Sequence, residues 1–264
     1  LDIFQSVGGK VWPASDLMVK YLSDTKISHG KQVLELGSGC GYVGIACAAL
    51  GAKNVTLTDR TITQRRLVYD SEGMLTEMDM LPNRMLLDLC ERNVLSNCNE
   101  TENCLLNVLE LEWGKGNNNH IQTILKNSNY DLIIGSDVTY HANLSDSLFW
   151  SVSELLRCLQ NKRNVTDTIH TGTCTNELQL PIKFLASHQL RLDSGTELTL
   201  KTATEYGLHC KTLAISTSTI TSSTGSSKSK IFRSGDFDDT IRRYTNADGV
   251  DGEYVLWQFT MPTI

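Results

Sequence analysis

A chain of 264 residues that is 40% hydrophobic has room for one large α/β domain with a full core, and not for two of ordinary size. Its net charge of -6 argues against a phosphate-backbone binder, which carries a basic face, and suits a basic partner segment better. No apolar run approaches the roughly 20 residues of a membrane span.

The chain opens at Leu1 without a charged and apolar leader, so no signal peptide is expected, and the absent Met predicts a native N-terminus before Leu1. The eight cysteines (Cys40, Cys47, Cys90, Cys98, Cys104, Cys158, Cys174 and Cys210) contain no C-x-x-C pair and mostly sit in apolar runs. They read as buried free thiols in a reducing compartment. No metal cluster is visible.

In chain order, the spacing predicts an amphipathic helix from about Ser15 to Ser23, then a strand at Val33. Residues Val33 to Gly44 read VLELGSGCGYVG: an apolar run with Glu35, glycines at 37, 39 and 41, and a fourth at 44. This is a strand, a tight turn and the start of a helix (Tyr42 to Leu50) whose free N–H groups face whatever fills the turn. A second strand, Asn54 to Thr58, ends on Asp59, where an acid is placed to accept hydrogen bonds from a ribose. Together these residues predict a site for an adenosine-type cofactor. The dinucleotide pattern G-x-G-x-x-G fits only if Gly37 is ignored, whereas G-x-G-x-G after a glutamate fits S-adenosylmethionine.

Residues 60 to 81 read as irregular, Pro82 as a helix start, and Arg84 to Asn97 as a helix lying on the sheet. Cys104 to Leu109 is a third strand, followed by Glu110-Leu111-Glu112-Trp113-Gly114 and a polar loop from Lys115 to Asn119. Tyr130 to Gly135 is almost wholly apolar, as a central parallel strand should be, and leads through Ser136-Asp137-Val138-Thr139-Tyr140 into a helix from about Leu144 to Gln160. Val165 to Thr171 reads as another strand and Glu197 to Tyr206 as a helix capped by Gly207. Leu208 to Ile215 and Tyr254 to Met261 read as a closing strand pair. Ser216 to Lys230 is low-complexity and reads as a mobile loop, and Asp236 to Asp251 is polar and acidic.

The alternation gives a doubly wound, mostly parallel sheet of seven strands with an antiparallel last strand. The whole of 1–264 is expected to form one domain, with an N-terminal segment and helix over 1–30 and insertions or loops at 60–83 and 216–250.

Val11-Trp12-Pro13, Val33 to Gly44, Thr58-Asp59-Arg60, Asn93 with Asn97, Glu110 to Gly114, and Gly135 to Tyr140 occur in an order that resembles the seven-β-strand protein lysine methyltransferases of the methyltransferase-like 21 type. Asp137 to Tyr140 is similar to that family's D-x-x-Y signature. The likeness runs from about Gly8 to Gln160 and is faint beyond.

The resemblance implies a Rossmann-like fold and an S-adenosylmethionine-dependent enzyme. In it, Glu35 and the Gly37-Ser38-Gly39 turn meet the methionine end, Asp59 holds the ribose, and Gly41 and Arg60 belong to the cofactor-binding set. Trp113 lies beside the adenine, and Trp12 and Ser136 complete the pocket. Asp137 and Tyr140 are the expected catalytic pair, opposed by a helix-cap reading of Asp137. The implied substrate is a lysine of a protein, such as a chaperone or translation factor. The protein is expected to be a monomer in the cytoplasm and nucleus, bound to neither nucleic acid nor membrane.

Rival readings are a small-molecule amine N-methyltransferase and a catalytically silent cofactor-binding interaction protein. Adenine or glutamine methylation is disfavoured because the chain has Asp137-Val138-Thr139-Tyr140 where N/D-P-P-Y would stand. An NAD-dependent oxidoreductase is disfavoured by the glycine spacing.

Overall fold

The computed structural model describes residues 7–69, 75–97, 103–126, 128–139, 142–171, 181–190, 195–217, 241–246 and 252–262. Helix α1 (Pro13–Thr25) begins with the proline at its first position, where a missing N–H costs nothing, and ends at Lys26 in the left-handed region. It is followed by β1 (Gln32–Leu36), α2 (Tyr42–Ala49), β2 (Asn54–Asp59), β3 (Ile62–Tyr69) and β4 (Leu75–Asn83). Then come α3 (Met85–Ser96), β5 (Leu105–Glu110), α4 (Asn118–Lys126), β6 (Leu132–Ser136) and α5 (Ala142–Thr171). The last elements are β7 (Lys183–Leu190), α6 (Gly195–Glu205), β8 (His209–Thr217), β9 (Arg242–Thr245) and β10 (Glu253–Thr260).

Eight strands form one sheet in the order β5-β2-β1-β6-β7-β10-β8-β9. The run from β5 to β7 is parallel, and β10 lies antiparallel between β7 and β8. The expected strand pair is therefore present, and the sheet has eight strands where seven were expected, with a short β9 parallel to β8 at the edge. From β1 the chain winds outward to β2 and β5, and from β6 it winds the other way to β7. The reversal between β1 and β6 opens a crevice beyond their C-terminal ends, where open α/β sheets bind ligands.

Helices cover both faces. On one side Leu34 and Leu36 of β1 meet Ile121 and Ile124 of α4 and Phe149 and Val152 of α5. On the other, Val33 meets Leu17, Met18 and Leu22 of α1 and Val43 and Cys47 of α2. Side chains alternate along a strand, so Glu35 falls on the Val33 face, beneath α2.

Four readings are corrected. The stretch read as irregular is a β-hairpin pairing β3 with β4, apart from the main sheet. Pro82 lies inside β4 opposite Thr63 and starts no helix; a two-stranded sheet has edges on both sides, where a proline's missing donor is tolerated. Val165 to Thr171 is the end of α5, not a strand, and the strand is β7 farther on. Its β-branched residues gave a weak local preference that the continuing helix overrides. The polar Lys115 to Asn119 segment leads straight into α4, an unexpected helix that buries Ile121, Ile124 and Leu125. The low-complexity reading falls mostly on 218–240, outside the described residues.

Candidate active site

The turn after β1 is built from backbone geometry that side chains resist. Gly37 and Gly39 have φ of +65° and +54°, and a Cβ on Gly39 would stand 2.7 Å from the Gly8 carbonyl oxygen. Only glycine accepts both the left-handed angle and that approach. The turn is tied from three directions. Ser38 N–H donates to the Thr58 carbonyl (2.9 Å), Gly39 N–H to Asp59 Oδ2 (2.8 Å), and the Asn93 amide of α3 donates to the Cys40 carbonyl (2.7 Å).

Asp59, at the tip of β2, accepts a second backbone bond on Oδ1 from Arg60 N–H (2.8 Å). Burial raises its pKa, and the two N–H donors and the Arg60 charge act against the rise. An ionised carboxylate has about four acceptor positions. Asp59 can thus anchor the turn and still accept ligand hydroxyls.

Glu35 is 1% exposed, and its Oε2 has no hydrogen-bond partner among the described residues. Burial pushes its carboxyl up to about 8, opposed by the Gly44 backbone N–H and assisted by the nearby Asp59 charge. An orphaned carboxyl oxygen in a cavity wall is a place for a cationic or donor group to lodge.

A cavity of about 470 Å³ spans these groups at the switch point. Its far wall is the end of β6. Ser136 Oγ shares a 2.7 Å hydrogen bond with Ser15 Oγ of α1, and Asp137, 8% exposed, stands at φ +52°. A non-glycine residue in that region costs about 1 kcal/mol or more, a strain typical of functional positions. Trp113, held on the loop whose Gly114 N–H donates to Ser151 Oγ (2.9 Å), presents an aromatic face with its indole N–H unsatisfied by the described residues. Trp12 caps α1 opposite.

Of the residues singled out from the sequence, Trp12, Glu35, Gly37, Ser38, Gly39, Asp59, Arg60, Trp113, Ser136 and Asp137 all line this cavity. Gly41 does not: it caps α2 against Cys90 and Leu57, behind the turn. Tyr140 lies outside the described residues. Sequence reasoning did not single out Gly8, Lys10, Ser15, Leu86, Leu144 and Ser147 as site residues, and they also line the cavity. Ser15 entered the sequence reading as the start of the amphipathic helix.

The donor set suits a ligand with an adenosine body and a positively charged end: four carboxyl groups (Glu35, Asp59, Glu112 and Asp137), two indoles and glycine backbone, with Arg60 and Lys10 the cationic members. Among the described residues no group of three His, Cys, Asp or Glu could hold a metal ion.

A family model described as lysine methyltransferase matches residues 2–74. Protein N-lysine methyltransferase METTL21A of Danio rerio is 31% identical over 150 residues, 56% of this chain and 56% of that protein. Protein-lysine N-methyltransferase EFM6 of Saccharomyces cerevisiae is 30% identical over 168 residues, 58% of this chain and 59% of that protein. Among solved structures, a precorrin-6y C5,15-methyltransferase from Geobacter metallireducens covers 93% of this chain and 87% of its own at 10% identity, with a TM-score of 0.46. The chain spans about half the length of the curated relatives it matches. The similarity to lysine methyltransferases read from the motifs is thus matched by these comparisons over somewhat more than half of the chain.

Proposed function

We propose that this chain is an S-adenosylmethionine-dependent methyltransferase acting on a lysine side chain of a protein. The observation that carries the reading is Glu35: a fully buried carboxyl with an unpartnered oxygen, at the switch point of the sheet, in the wall of a cavity floored by a left-handed glycine turn. Similarity to proteins named lysine methyltransferases supports it independently. Relatives named for calmodulin and for the electron transfer flavoprotein beta subunit support a protein as substrate. The partner class we infer from the family resemblance is a chaperone or translation factor.

When bound, S-adenosylmethionine supplies a methyl group on a positively charged sulfur, open to in-line displacement by a neutral amine. Glu35 and the Gly37 to Gly39 backbone would hold its methionine end, Asp59 and Arg60 the ribose side, and Trp113 the adenine. Trp12 and Ser136 would close the pocket. Asp137 would receive the incoming ammonium at the cavity wall, and Tyr140 would orient the amine. A lysine amine is protonated in water near neutral pH, so the walls around Asp137 must strip its water and let its proton leave. Their contribution is alignment and desolvation, and we assign no residue as a dedicated general base.

The test is incubation with tritiated S-adenosylmethionine and a cell extract, with the labelled residue identified by mass spectrometry. Label on a protein lysine is expected. Asp137→Asn should lose most of it while keeping cofactor affinity by calorimetry. Binding of NAD as tight as that of S-adenosylmethionine, or no heat with S-adenosylmethionine or its demethylated product S-adenosylhomocysteine, would sink the cofactor. Label only in small molecules would move the reading to an amine N-methyltransferase.

A further inference from the structure

The segment that carries Asp137 is fastened to β7 at two adjacent residues. Asp137 N–H donates to the Ser187 carbonyl at 2.8 Å, continuing the register that pairs Ser136 with Ser187. Two residues on, Thr139 Oγ1 and His188 Nδ1 share a 2.8 Å hydrogen bond, with both residues only 3% exposed. The imidazole is itself fixed from the side. It stacks on Trp257 of β10, with centroids 5.3 Å apart and planes at 20°, and Trp257 meets Phe259 edge-on at 6.2 Å.

Asp137 needs such fastening, because its φ of +52° is a conformation the chain leaves unless its surroundings over-determine it. The Ser187 carbonyl fixes the backbone at the strained residue. Without a second tie, the segment could still swing about that point and carry the Asp137 carboxyl away from the cavity. A hydroxyl–imidazole bond sealed from water is well suited to be that tie, since neither partner can exchange it for solvent.

We propose that His188, acting through Thr139, is a positioning residue that holds the Asp137 segment in its strained, cavity-facing conformation. It touches neither the cavity nor any reacting group. Its catalytic consequence rests on the methyltransferase reading, but the latch itself does not.

Thr139→Val removes the hydroxyl at constant shape, and His188→Leu removes the ring nitrogen but keeps an apolar filling. His188→Asn restores a polar atom close to the Nδ1 position. Amide hydrogen exchange reads the latch directly, because the Asp137 N–H is the neighbouring tie. In Thr139→Val and His188→Leu its exchange should accelerate by about tenfold or more, while the Leu34 and Ile134 amides in the sheet centre stay as protected as in the wild type.

Tritium transfer from S-adenosylmethionine to an extract should fall by about tenfold or more, since misplacement of about 1 Å can cost that much. Affinity for S-adenosylhomocysteine should stay within about twofold, and His188→Asn should recover most of both losses. Unchanged Asp137 exchange in Thr139→Val overturns the latch. Loosening of the whole sheet with a normal rate per folded molecule overturns the positioning role in favour of plain stability. If the wild type transfers no methyl group to anything, the methyltransferase reading fails and with it the catalytic consequence, while exchange still decides the latch.

Discussion

On the parallel side of the sheet, β1, β2 and β6 end in left-handed backbone, a buried carboxyl with an unmet oxygen, and an aspartate whose two oxygens are occupied by main-chain N–H groups. On the antiparallel side, β7 and β10 fill the same depth with hydrocarbon: Phe184, Trp257 and Phe259, joined by Phe149 from α5 at centroid distances of 5.2 to 6.2 Å. The first region gives up packing and conformational ease to keep a cavity. The second supplies stability that the first does not generate. His188 lies where they meet, its ring stacked on the aromatic side and its Nδ1 bonded into the Asp137 segment.

That contrast can be broken from either side. The largest effect should come from pH. Glu35 titrates near 4.5 in an unfolded chain and about 8 in the fold, so the folded state holds a proton that the unfolded state has released. Stability is then full below about pH 4.5 and declines as pH rises toward 8, by up to about 5 kcal/mol. Asp59, raised in the same direction, adds to the decline. Denaturant titrations across this window should show the slope in the free protein and a flatter curve for Glu35→Gln. Saturating S-adenosylmethionine should also relieve it by placing positive charge beside the carboxylate.

Phe259→Ala comes next, at about 3–5 kcal/mol of lost stability from a large buried ring. Cofactor affinity of the folded fraction should barely move, because the aromatic side acts as support. A strong loss of affinity at unchanged melting temperature would dissolve the division between the regions. Asp59→Asn should have the smallest effect, about 1–2 kcal/mol, shared between affinity and stability. An amide offers one acceptor where two backbone N–H groups now point at carboxylate oxygens. Calorimetry and thermal melts on one preparation read both parts, and a change confined to either would assign Asp59 a single role.

The parallel region was the more legible in the sequence, for a physical reason. A strand buried on both faces reads as a nearly continuous apolar run, and Val33 to Leu36, interrupted only by Glu35, and Leu132 to Ile134 stand out beside the glycine turn. β7 hid because LASHQL mixes Ser187, His188 and Gln189 into the run. Periodicity treats polar residues as outward-facing, yet Ser187 and His188 are both buried, and the His188 ring bonds into the segment next door. α4 hid behind three asparagines, its core contribution resting on Ile121, Ile124 and Leu125 alone. Pro82 misled because its usual meaning as a helix start is overridden in a hairpin edge. The cavity residues that escaped notice, such as Gly8 and Leu86, come from segments far apart in the chain that only the folded sheet brings together.

The position of β10 also bears on how the molecule is made. It is the last described strand in chain order, yet it sits between β7 and β8. A chain leaving the ribosome therefore has β7 and β8 without the strand that joins them, and Phe184 without the Phe259 ring it stacks on, until β10 arrives to slot between them. The latch behind Asp137 closes no earlier, because the ring that steadies His188 belongs to Trp257. During synthesis, then, the glycine turn and Asp59 can be in place while the aspartate opposite them is still unsecured. The emerging polypeptide passes through an interval of aggregation risk in which exposed edges are open to pairing with a neighbour.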